Sequence, residues 1–313
     1  MSKICIGVDI GGTTVKIGIF TKQGQVEKKW EIPTRKEEQG KYILSDVASS
    51  VKENVEQLGN TMEDVIGIGI GVPGPVVGER KVLECVNLGW GIIDVAEKMK
   101  ELTGISNIKV GNDANIAALG EMWKGGGEGY HNIIMVTLGT GVGGGVIING
   151  KILTGSNGAA GEIGHIVVNL EEEDACNCGK KGCLEQYASA TGIVKEAKRA
   201  LKATDRPSVL REVETISAKI VFDSAKDGDE LAVELVNHLC KTLGIALAHI
   251  AQVVDPQAFV IGGGVSKAGE ILTKNIEKYY NDFVMKALKG KDFCLATLGN
   301  DAGIFGSAKL ILD

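Results

Sequence analysis

Two glycine-rich segments and one cluster of thiols carry most of the residues whose types and spacing could do chemistry. In Asp9-Ile-Gly-Gly-Thr-Thr, Gly11 and Gly12 would leave backbone amides open to a phosphate group, Thr13 and Thr14 would add hydroxyl donors, and Lys16 follows close behind. Asp9 could hold Mg²⁺ through water, since that ion takes one or two carboxylates and completes its shell with water and phosphate oxygens; capping the turn is the lesser alternative. A second segment, Gly139, Thr140 and Gly141, has the same make-up. Neither ends in Gly-Lys-Ser/Thr, so a P-loop ATPase is disfavoured. A third, Gly262, Gly263 and Gly264, terminates the apolar run Ala258-Phe-Val-Ile and is another candidate for close approach by a ligand.

Transfer of a phosphoryl group needs a side chain that takes or positions the proton of the accepting hydroxyl, and Asp113 in Gly111-Asn-Asp-Ala-Asn is the best candidate. It sits where a strand should end and a helix begin, a place where α/β proteins expose side chains to ligands. An Asp there can also be no more than the helix cap, and spacing alone leaves both roles open. His165, Cys176, Cys178 and Cys183 form the thiol cluster, with Gly179 and Gly182 letting the chain turn. Three thiolates and one imidazole complete a tetrahedral Zn²⁺ site with no open position, which argues for a structural metal and against zinc-activated water. Free thiols beside an unrelated His are the alternative.

The elements that must position these groups are legible in outline. Apolar runs at 4–8 and 15–20 flank the first glycine turn as a hairpin. The spacing predicts a helix over 43–58, a strand over 65–72 that ends in Pro-Gly-Pro, and a short strand over 108–110. A long apolar helix over 231–253 leads to the strand that empties into Gly262, and helical spacing returns over 302–312, which should pack back on the first domain. Val8-Asp-Ile-Gly-Gly-Thr-Thr-Val-Lys-Ile resembles Val136-Thr-Leu-Gly-Thr-Gly-Val-Gly-Gly-Gly, with Gly11 matching Gly139. A duplicated α/β unit would set one glycine turn from each half across a cleft; an ordinary tight hairpin is the lesser alternative for either turn alone. The expected division is a smaller α/β domain of residues 1–113 plus 301–313, and a larger α/β domain of residues 114–300 carrying the zinc loop.

Composition narrows the classes. A chain of 313 residues with 44% hydrophobic and 24% charged residues should bury a substantial core in two domains, and disorder has no support. Net charge of −6 without a basic block disfavours nucleic acid as a partner. The N-terminus enters a strand pattern at once, so no secretion leader is expected, and no apolar run reaches the ~18 residues of a membrane span. Seven cysteines in what should be the reducing cytoplasm are a poor disulfide framework; Cys5, Cys85, Cys240 and Cys294 read as small core residues. Glycine stands out, at 44 residues, bunched at strand ends.

Taken together these segments resemble the repressor, open-reading-frame and kinase (ROK) family, and its glucokinases in particular. The matching stretches are Asp9-Ile-Gly-Gly-Thr-Thr, Gly71-Val-Pro-Gly-Pro, Gly111-Asn-Asp-Ala-Asn, Leu138-Gly-Thr-Gly-Val-Gly-Gly-Gly, Gly161-Glu-Ile-Gly-His165, Cys176-Asn-Cys-Gly-Lys-Lys-Gly-Cys183 and Val260-Ile-Gly-Gly-Gly. The resemblance implies an actin-like, hexokinase-type (ribonuclease H-like) duplicated fold and transfer of phosphate from ATP with Mg²⁺ to a hexose, glucose above others. It implies that Asp113 is the catalytic base, and that Gly74, Asn87, Asn112, Glu162, His165 and Glu185 contact the sugar; without the resemblance, Glu162 and Glu185 would read as surface carboxylates. An N-acetylhexosamine kinase or fructokinase of the same family is the alternative enzyme. A sugar-sensing binding protein is the alternative without catalysis, and since the first strand begins by Ile4, the DNA-binding domain of the family's repressors is not expected. A homodimer or homotetramer is the expected assembly.

Overall fold

A computed structural model describes residues 3–312. The chain divides into two compact units, the first formed by Met1–His131, Gly145–Ala160 and Leu298–Asp313, the second by Asn132–Gly144 and Gly161–Thr297.

In the first unit, strands β1 (Ile4–Ile10), β2 (Thr14–Thr21), β3 (Val26–Pro33), β4 (Val65–Val72) and β8 (Ile108–Asn112) make one sheet in the order β3-β2-β1-β4-β8. β1 is antiparallel to β2 and parallel to β4, and β4 is parallel to β8. The near-continuous apolar runs of β1 and β4 follow from burial on both faces, as expected of inner parallel strands. β3, Val-Glu-Lys-Lys-Trp-Glu-Ile-Pro, has no such run; its charged side chains and terminal Pro suit an exposed edge. Three short strands, β5 (Val76–Val77), β6 (Lys81–Val82) and β7 (Ile93–Asp94), form a small antiparallel sheet beside it.

The helix Ala302–Leu312 lies on the large sheet so closely that side chains are excluded at the contact. A Cβ on Gly69 would fall 1.8 Å from Ser307 O, and one on Gly306 would fall 1.8 Å from Ile116 O in the helix Asp113–Lys124. The buried Ser307 hydroxyl donates to Val8 O at 2.8 Å, so the close approach leaves it satisfied.

The second sheet has the order β11-β10-β9-β12-β13, from β9 (Ile133–Leu138), β10 (Val142–Ile148), β11 (Lys151–Ile152), β12 (Ala258–Gly262) and β13 (Asp292–Leu295). β12 is parallel to both β9 and β13, so these five strands hold the same ranks as β1, β2, β3, β4 and β8 do in the first sheet. The repeat relating Gly11 to Gly139 is therefore a repeat of topology.

The core of the second unit is built on the helix Glu230–Val254. Among the described residues it alone is long and apolar enough to cross a membrane, and 61% of its most apolar stretch is buried inside the protein, as for a core helix. Three amphipathic helices that the sequence reading did not single out surround it: Ala190–Ala203, Ala218–Lys226 and Glu270–Phe283. Ser189 and Ser217 cap the first two, accepting from Gly192 N and Ile220 N.

Candidate active site

Parallel strands deliver chemical groups to one edge of the first sheet. Asp9 on β1 is in register with Gly71 on β4, Gly71 with Gly111 on β8, and Asn112 and Asp113 follow directly. Asn112, rather than Asp113, caps the helix that starts here: its Oδ1 accepts from Ala114 N at 3.0 Å and Asn115 N at 3.2 Å, and its Nδ2 donates to Gly74 O at 3.2 Å. With the cap supplied by its neighbour, Asp113 stands exposed on the first turn, its Oδ1 accepting from Ala114 N at 2.8 Å. Asn87, also exposed, sits in the loop that Cys85 and Trp90 close.

Asp9 lies against the first turn of the helix Ala302–Leu312, with its Oδ2 only 2.4 Å from where a Cβ of Gly303 would be. Burial and then the charge of Asp113 lift its pKa from 3.8 to about 6, against the pull of Lys16. Asp9 and Lys16 are opposite residues of an antiparallel pair and share a face. The Lys16 ammonium donates to Asn300 O at 3.0 Å. A partly buried carboxylate with a second carboxylate nearby is a place that a divalent cation would stabilise, so the group fits a Mg²⁺ ligand.

The same shift predicts a stability effect. Because the folded pKa lies above the unfolded one, ionised Asp9 costs nothing below about pH 4 and its full penalty above about pH 6, on the order of 3 kcal/mol. Asp9→Asn, studied without divalent metal, is expected to melt a few degrees higher than the parent at pH 8 and level with it near pH 4. A gap that does not close as pH falls would mean that Asp9 carries no such penalty.

The turn at residues 11–14 is pinned by Thr34, whose Oγ1 donates to Gly11 O at 2.7 Å and whose N donates to Thr13 O at 2.9 Å. A Cβ on Gly12 would meet nothing within 4 Å, and its φ is not positive; the same holds for Gly139. No contact or dihedral within the chain demands glycine at either position, and the open space over the backbone is what a phosphate group needs.

In the second unit, Ala190 N donates to Gly139 O at 2.8 Å and the Thr191 hydroxyl donates to Thr140 O, tying that turn to a helix start. Glu185 Oε2 lies 2.4 Å from where a Cβ of Gly141 would be, and Glu185 Oε1 accepts from Cys176 Sγ at 3.0 Å and lies 3.8 Å from His165 Nδ1. These groups border a cavity of about 300 Å³ that Thr140, Gly141, Cys176, Glu185 and Lys195 help to line. Gly262 ends β12, Gly263 is left-handed at φ 84°, and Gly264 opens a short helical turn. Glu162 is exposed, one turn before His165.

The predicted thiol cluster is assembled. One donor atom from each of His165, Cys176, Cys178 and Cys183 lies within 4.8 Å of every other. His165 Nδ1 is 3.7 Å from Cys176 Sγ, and Cys178 Sγ is 3.6 Å from Cys183 Sγ, close to the roughly 3.3–3.8 Å edges of a zinc tetrahedron with sulfur and nitrogen ligands. The donor set fits zinc. Of the other cysteines, Cys5, Cys85 and Cys240 are buried in apolar surroundings and Cys294 is partly exposed on β13.

Two supporting carboxylates were not foreseen. Glu172, 2% exposed at its side chain, accepts from both terminal nitrogens of Arg199 and from the Tyr187 hydroxyl; Arg199 foremost holds its pKa well below the carboxylate range. It braces the segment leading into Cys176. Glu121, fully buried, accepts from Gly126 N and Leu298 N at 2.9 Å each, fixing the backbone two residues before Asn300. Glu121 stood out only as a lone acid in an apolar stretch that runs into glycines, and Glu172 was hidden in the acidic run 171–174, which reads as solvated surface.

A family model described as the ROK family matches residues 5–313. Among curated proteins, the glucokinase of Halalkalibacterium halodurans is 43% identical over 311 residues, covering 98% of this chain and 94% of that protein. The glucokinase of Thermotoga maritima is 36% identical, covering 98% and 96%. Among solved structures, a ROK family glucokinase from Streptomyces griseus in complex with glucose and AMPPNP is 35% identical, with a TM-score of 0.73 and 98% of each chain covered. The repeated sheet topology is that of the duplicated actin-like, hexokinase-type fold, and this chain belongs to the ROK family.

Proposed function

We propose that the chain is an ATP-dependent glucokinase, transferring the γ-phosphate of ATP to the 6-hydroxyl of glucose. The observation that carries the reading is the gathering of Asp9, Asn112 and Asp113 at one edge of a sheet, with Asn112 taking the cap and leaving Asp113 open to a ligand. The glucokinase names of relatives across nearly the whole chain support it.

On this reading the 6-hydroxyl oxygen bonds to the γ-phosphorus while the bond from that phosphorus to the bridging oxygen of ADP breaks, ADP keeping the electron pair. The hydroxyl proton passes to the Asp113 carboxylate. Since the transition state is loose, the proton moves late and Asp113 need not be strongly basic. Gly11, Gly12, Thr13, Thr14, Lys16, Gly139, Thr140, Gly141, Gly262, Gly263 and Gly264 hold the nucleotide. Asp9 would hold Mg²⁺ through water, and that ion would supply charge neutralisation at the phosphates. Gly74, Asn87, Asn112, Glu162, His165 and Glu185 hold the sugar. His165, Cys176, Cys178 and Cys183 would hold a structural Zn²⁺, which would keep the His165 ring in place to meet a sugar hydroxyl. The enzyme works in the cytoplasm as a homodimer or homotetramer.

A site that hydrogen-bonds each hydroxyl rejects analogues lacking one by up to roughly 10⁴-fold, because its own polar groups are left unpaired. With MgATP, kcat/KM is expected to be highest for glucose among glucose, mannose, fructose, N-acetylglucosamine and N-acetylmannosamine, and NMR should show glucose 6-phosphate. An N-acetylated sugar that outpaces glucose by about tenfold would overturn the sugar assignment and leave the kinase standing.

A further inference from the structure

The loop that bears Asn87 is gripped by a segment whose backbone is left-handed for three residues running. Glu38, Gln39 and Gly40 have φ of 50°, 59° and 70°. Residues in this region normally occur singly, and two of these three carry a Cβ, so surrounding contacts must hold them there. On one side, the Tyr42 hydroxyl donates to Glu38 Oε1 at 2.9 Å and Lys41 Nζ donates to Glu38 Oε2 at 3.3 Å. On the other, the buried Trp90 indole donates from Nε1 to Gly40 O at 3.2 Å. A Cβ on Gly40 would lie 2.5 Å from Leu88 O and 2.6 Å from Trp90 Nε1, and one on Gly89 would lie 3.1 Å from Gln39 Cα. Residues 38–40 and 88–90 are thus interlocked backbone to backbone, while Asn87 stays exposed beside them.

We propose that the left-handed turn at residues 38–40 positions the sugar loop, fixing Asn87 in its hexose-binding geometry through the Gly40 carbonyl and the Trp90 indole before any sugar arrives. This rests on Asn87 being a hexose ligand, as in the function proposed above. The ordering of the loop is completed on folding, so binding does not have to supply it. Trp90 and Gln39 are positioning residues: they act through Asn87 and touch neither substrate. Loosening the turn should therefore weaken the hexose in ground state and transition state alike, raising KM while kcat holds, and should leave the nucleotide untouched.

The test uses the full-length protein and three variants, with glucose and ADP binding by calorimetry and steady-state kinetics with glucose and MgATP. Trp90→Phe keeps an aromatic ring, though a smaller one, and removes the indole donor. Gln39→Val places a β-branched residue, hostile to left-handed backbone, at an exposed position, whereas Gln39→Asn tolerates that backbone. Trp90→Phe and Gln39→Val are each expected to raise the Kd and KM of glucose about tenfold, with kcat within about twofold and ADP affinity unchanged, and Gln39→Asn to match the parent. An unchanged glucose KM in either Trp90→Phe or Gln39→Val overturns the proposal, as does a fall in ADP affinity that tracks the fall in glucose affinity; either variant alone decides. Parent protein that phosphorylates no hexose would sink the function proposed above instead, a result distinct from any difference among variants.

Discussion

Asp113→Asn is expected to lower turnover of glucose by two or more orders of magnitude while the Kd for glucose moves little. The amide keeps the size and polarity of the carboxylate but cannot accept the hydroxyl proton, and positioned proton transfer is worth typically 10²–10⁴-fold. The local structure favours a clean experiment. Asn112 holds the helix cap, so the substitution leaves the bonds to Ala114 N and Asn115 N from Asn112 in place. Loss of a cap would have cost about 1 kcal/mol and confused the comparison. Turnover and equilibrium binding should separate. Near-normal kcat in this variant would remove Asp113 from the chemistry and return it to the role of a surface carboxylate.

The second large effect concerns the thiol cluster. Protein purified without a tag under reducing conditions is expected to carry about one zinc per chain, and Cys183→Ser to lose it. Cys183 is fully buried and 3.6 Å from Cys178 Sγ, so a hydroxyl there would be a poor ligand in a site built for thiolate. The loss should reach the sugar through His165 and Glu185. Glu185 Oε1 accepts from Cys176 and lies near His165 Nδ1, so all three move if the tetrahedron opens. Disturbing groups that orient a metal ligand commonly costs 10–100-fold, and a rise in glucose KM of that order is expected. Metal-free protein with full activity after treatment with a strong chelator would reduce the cluster to four coincident residues.

How much of this was legible in the sequence depends on how local the cause is. The glycine turns, the hairpin of β1 and β2 and the thiol cluster were readable because residues close in sequence determine them, and the repeat of Gly11 at Gly139 carried the topology of a second sheet. Local chemistry could not choose between Asn112 and Asp113 as cap. Both are good caps, and the matter is settled by which residue keeps extended backbone at the end of β8, which is Asn112. β3 escaped notice because an edge strand has no need of an apolar run. The turn at residues 38–40 was invisible for a stronger reason. Glu-Glu-Gln-Gly reads as ordinary helix start, and the contacts that hold it to the other hand include Leu88 and Trp90, some fifty residues away. Glu121 and Glu172 show the same limit, since their partners Leu298 and Arg199 lie far along the chain.

The contact between β1 and the helix Ala302–Leu312 also sets an order of events during synthesis. Ser307 meets Val8 across 299 residues, and the small apolar cluster of Cys5, Phe20, Ile304, Ala308 and Ile311 closes over the same span. On the ribosome, the first strand must therefore wait, with one face bare, while the whole of the second unit is made. The second unit can complete its own core earlier, because the residues from 161 to 297 are continuous. The half of the protein that is translated first is thus the half that finishes last, and its exposed apolar strands are the segment most in need of protection by a chaperone until residue 312 has emerged.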